Sequence, residues 1–87
     1  MKTLFLLLAQ FEGKAIVPVD EVCRVYFPHL SPQKFLQKTT AGEIAMPVVR
    51  IEESQKAARG VHLEDLAAYL DARRAVALKE FKQLHRV

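Results

Sequence analysis

The spacing of apolar residues changes several times along this chain, and each change marks the start of a new element. Leu4, Leu7, Leu8 and Phe11 fall at i, i+3, i+4 and i+7, which is one face of a helix. Thr3 is placed to cap that helix and Gly13 to stop it. Phe5, Leu6 and Ala9 are left over, so the helix is apolar on nearly all sides and calls for a second partner. Ala15 to Val17 reads as a short extended stretch stopped by Pro18. A second helix is predicted from Val19 to Phe27, with Val19, Val22, Cys23 and Tyr26 as its apolar stripe. Asp20 and Glu21 suit the positive end of its dipole. Pro28 ends it, because the residue before a proline is pushed out of helical backbone.

Ser31 and Pro32 start a third helix, a cap followed by proline at the first helical position. Phe35, Leu36 and later Ile44 are predicted to face the core. Gln33 with Gln37, and Lys34 with Lys38, are four apart and share the outward surface. Gly42 stops this helix. Pro47 to Ile51 then reads as a strand with its proline only at the start, Glu52 to Gly60 as a polar loop tip, and Val61 to Leu63 as the returning strand. A last helix begins near Glu64 and Asp65 and continues to about Leu84, a rod of roughly 30 Å. That is longer than the rest of the chain can cover. Its stripe of Leu63, Leu66, Leu70, Ala77 and Leu84 is interrupted by Arg73, and its heptad pattern is too weak to specify a coiled coil.

The predicted architecture is therefore mainly α with a small β-hairpin, one domain over residues 1–87. An N-terminal helix (1–13) precedes a helix-turn-helix (19–42), a wing hairpin (47–63) and a C-terminal helix (64–85). That order, a winged helix-turn-helix, is suited to placing one helix in a DNA groove. Hydrophobic residues make up 51% of the 87 and charged residues 26%, which excludes a disordered chain. A net charge of +3 permits nucleic-acid binding without dictating it. Cys23 is the only cysteine, so no intrachain disulfide can form and a reducing cytoplasm is the expected location. The apolar run from Leu4 to Ala9 is too short for a secretory leader and is followed by a poor cleavage region. No stretch approaches the roughly 18 apolar residues of a membrane span.

The candidate DNA-contacting residues follow from this frame. Gln33, Lys34, Gln37 and Lys38 offer the chemistry of base and near-base contact: glutamine can pair bidentately with adenine, and lysine can meet guanine or phosphate. Ser31 stands at the start of the same helix. Arg50, Gln55, Lys56 and Arg59 on the hairpin would hold the backbone, supplying affinity rather than sequence information. Cys23, His29, His62 and His85 have no spacing that matches a structural zinc site, and no metal or cofactor is expected. Paired carboxylates lie only at helix starts or on the hairpin. No phosphate loop and no activated nucleophile can be read, so no enzymatic activity is expected.

The stretch PVVRIEESQKAARGVHLEDLAAYLDARR, Pro47 to Arg74, resembles the pyocin activator (PrtN-like) family. VDEVCRVYFPHLSPQKF and the TLFLLLAQ start are similar to it too, so the likeness covers nearly the whole chain. Val25 is a departure, standing where a polar residue is expected. The resemblance implies a small bacterial or prophage-borne transcriptional activator of phage-derived bacteriocin operons, acting at the nucleoid. Double-stranded promoter DNA is the expected partner; the surplus apolar surface of the first helix and the long last helix points further to a second copy of the chain and a surface of RNA polymerase. More distantly, the order of elements looks like the winged domains of phage excisionases, an analogy at the level of fold. The alternatives are an excisionase-like architectural protein that bends DNA, and a protein-interaction module that binds no DNA.

Overall fold

The computed structural model describes residues 2–54 and 56–85. The elements follow in the order α1 (Thr3–Gln10), β1 (Ile16–Pro18), α2 (Val19–Tyr26), α3 (Pro32–Thr40), β2 (Val49–Arg50), β3 (Arg59–His62) and α4 (Leu63–Leu84). α1 turns Leu7 and Phe11 into the core and leaves Phe5 and Leu6 about 63% and 60% exposed, as its surplus of apolar residues requires. Thr3 does not cap it. Lys2 occupies the cap position, and the Thr3 hydroxyl lies inside the first turn, donating to Asp71 Oδ1 at 2.6 Å. The helix stops as Glu12 and Gly13 take positive φ (58° and 77°), the Gly13 N–H reaching back to Leu8 O at 2.7 Å.

The hairpin differs from the sequence expectation in length and company. Ile16–Pro18 is a full strand, and the antiparallel sheet has the order β1-β3-β2. β3 is central, with Val17 opposite Val61 on one side and Val49 opposite Gly60 on the other. Arg59 and Gly60 belong to this strand rather than to the loop tip. β2 is only Val49–Arg50, because Pro47 has no N–H to give a ladder; one further bond, Ile51 N–H to Ala58 O at 3.1 Å, extends the pairing. Leu63 leaves the strand to begin α4. His62 caps that helix, its Nδ1 accepting the Glu64 N–H at 3.1 Å. Pro18 sits on an edge strand, where a missing donor is tolerated.

The core gathers side chains from every helix. Leu7, Val22, Phe35, Leu63 and Leu66 are almost completely buried beside Val17 and Val61. Phe27 lies between Phe35 and Tyr69, at ring-centroid distances of 5.1 and 5.9 Å, and so fixes α3 against α4. Ile44 and Met46, on the linker after α3, close the core from that side. Tyr26 donates to Gln10 Oε1 at 2.7 Å and ties α2 to α1. Val25 is half-buried against this cluster, which accounts for an apolar side chain there. α4 runs on past its neighbours, from Asp71 onward exposed at every described position, and stretches the molecule to 55 × 28 × 20 Å.

Candidate nucleic-acid interface

α3 is held at both ends by local chemistry. The Ser31 Oγ accepts the Lys34 N–H at 3.1 Å, and Pro32 supplies helical φ at the first position. At the other end Gly42 takes φ 81°, so Glu43 N–H bonds Lys38 O at 2.9 Å and Gly42 N–H bonds Thr39 O at 3.2 Å. This closure satisfies the last carbonyls and needs a residue without Cβ strain at Gly42. With Phe35 locked inward, the opposite face is set: Gln33, Lys34, Gln37 and Thr40 are exposed.

An open groove lies between that face and the sheet, lined by Gln33, Leu36, Gln37, Thr40, Ala41 and Arg59. The structure thus brings together α3 residues and a hairpin residue 19 or more positions away in sequence. A second shallow hollow, formed by Ser31, Gln33, Lys34 and Gln37, covers the start of the helix. Thr40 was missed by sequence reasoning, while Leu36 packs on the core as expected and also lines the groove. Thr40 could have been found, since Gln33, Gln37 and Thr40 stand at i, i+4 and i+7. Lys38 is different from its predicted companions. It is half-buried and its Nζ lies 3.1 Å from Glu43 Oε1, a carboxylate brought round by the Gly42 turn.

On the hairpin, Arg50 and Arg59 stand directly opposite each other across the β2–β3 pair. Like charges in that arrangement repel, and among the described residues neither arginine forms an ion pair. Lys56 is exposed at the tip, where its backbone N–H bonds Ser54 Oγ at 3.1 Å. Gln55 lies outside the described residues. The polar face of α3 thus meets the hairpin at Arg59, while Glu52 and Glu53, both exposed, dilute the positive charge of the hairpin.

A family model described as Pyocin activator protein PrtN matches residues 3–77. The chain belongs to the pyocin activator family. The matched span holds α1 through β3 and α4 as far as Ala77, and therefore every candidate contact residue. No curated protein and no solved structure matches the chain. The pyocin activator family is one of regulators, not of enzymes. Among the described residues no cluster of three metal-ligating side chains occurs, and no helix is long and apolar enough to cross a membrane. Cys23 is buried on the apolar stripe of α2, and this desolvation, with Asp20 adding to it, raises the thiol above its ordinary value. Such a thiol is a packing group rather than a nucleophile.

Proposed function

We propose that this pyocin activator family member is a sequence-specific DNA-binding transcriptional activator of bacteriocin operons, with α2 and α3 as a helix-turn-helix and the β2–β3 hairpin as its wing. The observation that carries this reading is the groove in which the Gln33, Gln37 and Thr40 face of α3 meets Arg59 of the hairpin. In this reading α3 enters the major groove, where Gln33 and Gln37 hydrogen-bond base edges. Lys34 and the Ser31 hydroxyl meet phosphates at the positive end of the helix. Arg50, Lys56 and Arg59 each meet a phosphate of the neighbouring backbone, and these anions relieve the repulsion between the two opposed arginines. Lys38, engaged by Glu43, contributes less than its position in the sequence suggested.

The test is selection of bound fragments from random DNA by the purified protein at several salt concentrations. The expected outcome is a recovered motif that is lost when Gln33 and Gln37 are both changed to alanine. Salt-sensitive binding with no motif would replace activation at a specific operator with an architectural, DNA-bending role. Absence of binding even at about 50 mM salt, where non-specific binding is strongest, would sink the DNA reading altogether.

A further inference from the structure

We propose that the exposed half of α4 pairs with the same segment of a second copy of the chain, the two helices antiparallel, with Arg73 of each copy facing the partner's Glu80. The chain itself covers only the beginning of α4. α1 lies antiparallel along it, from the Leu63 N–H bond to Ala15 O (2.9 Å) to the Thr3 bond to Asp71 (2.6 Å), and ends there. Beyond that point every described residue to His85 is exposed. An unsupported stretch of this length is marginal as a helix in water.

The spacing of the apolar line on α4 nonetheless continues past its cover, with Arg74 as the one charged residue on it. Leu63, Ala67 and Leu70 are separated by four and three positions and face the core. The same alternation of four and three runs on through Arg74, Ala77, Phe81 and Leu84. Phe81 is 55% exposed and Leu84 82% exposed, with Leu78 beside them. Alternating steps of four and three are the spacing with which one helix meets another, and over so few turns they suit a short two-helix contact, not an extended coiled coil.

Of the cations on this stretch, Lys79 and Lys82 fall away from the stripe and Arg74 on it, so the edge charges Arg73 and Glu80 set the occupant and the direction. Arg73 and Glu80 lie seven apart on one edge of this stripe, about 10 Å from each other along the axis and out of mutual reach. Two copies related by a two-fold axis make every contact twice, i to j and j to i. An antiparallel pair places Arg73 against the partner's Glu80, and Glu80 against the partner's Arg73, so one helix edge completes itself. A parallel pair would set Arg73 against Leu78 and Glu80 against His85. Antiparallel pairing also sets Leu70 near the partner's Phe81, and lets the helices approach closely where each presents Ala77. The contact is smaller than a standard interface, so the dimer is expected to depend on concentration.

Sedimentation velocity of the full chain without DNA, from low-micromolar to submillimolar concentration, tests this separately from the DNA reading. A monomer–dimer transition is expected, with Phe81→Glu weakening the dimer at least about tenfold. Arg73→Glu and Glu80→Arg should each weaken it, and the double swap should restore it to within about threefold of wild type. All these positions are exposed, so circular dichroism melts of the core should match wild type and exclude misfolding. A monomer at every concentration, or a dimer indifferent to Phe81→Glu, overturns the proposal. A double swap no better than its single variants overturns the antiparallel pairing.

Discussion

Gly60 carries more of the sheet than its place beside a loop suggested. It is central in β3, between Pro18 and Val49, and a Cβ there would stand 2.6 Å from Ile16 Cγ2 and 2.7 Å from Val17 O. The isoleucine methyl can rotate away, but the carbonyl belongs to the β1 backbone and cannot. Gly60→Ala should therefore push β1 off the sheet and cost about 1 to 3 kcal/mol in a denaturant melt. Gly13→Ala meets open space at φ 77°, so only the backbone penalty of roughly 1 to 2 kcal/mol remains. The contrast was illegible in the sequence because Gly60 is crowded by a strand more than 40 positions earlier. Cys23 was legible, since it falls on the apolar stripe of its helix. Its thiol, raised by burial and then by Asp20, ionises more readily in the unfolded chain. Its contribution is thus complete below the unfolded value and is lost as pH rises from there through the folded value. Melts at neutral and alkaline pH should show a loss in wild type that is smaller in Cys23→Ala.

The same division between local and distant causes separates the elements. α3 could be read almost to the residue because Ser31, Pro32, Phe35 and Gly42 each act within a turn of their own position. The hairpin could be read only as two apolar runs around a polar tip; the pairing of Ile16–Pro18 to β3 leaves no mark in the residues of the hairpin itself. The ion pair of Lys38 was hidden for a related reason. Helical spacing placed it beside Lys34, while its partner Glu43 arrives through the turn after the helix. Substitutions should follow these assignments. Gln37→Ala should cost about 1 to 3 kcal/mol at one preferred base and relax selection there. Arg59→Ala should weaken binding to all sequences, and Lys34→Ala should do so more than Lys38→Ala. Titrations of matched operator and scrambled duplexes distinguish the two patterns, and equal losses for Gln37→Ala on both duplexes would remove α3 from base readout.

At the scale of the whole molecule, α4 gives a reach that the globular part lacks, within a longest dimension of 55 Å. Two copies joined through that helix would hold their α3 faces on separate half-sites, about 34 Å apart or a multiple of that on B-DNA. The number of phosphates held then becomes a measure of assembly. Lys34, Arg50, Lys56 and Arg59 are the cations each copy offers, and neutralising that many phosphates gives a slope of about −3.6 in log K against log salt. A dimer bound to two half-sites should therefore show a slope near −7 on a full operator, while Phe81→Glu should keep a slope near −3.6 on a single half-site. Lys56→Ala should reduce the half-site slope by about one, because it removes one phosphate contact. Filter-binding titrations across salt read all three values. A wild-type slope that stays near −3.6 on both the half-site and the full operator would mean that one copy binds alone, and that the length of α4 serves some contact other than spacing two α3 helices.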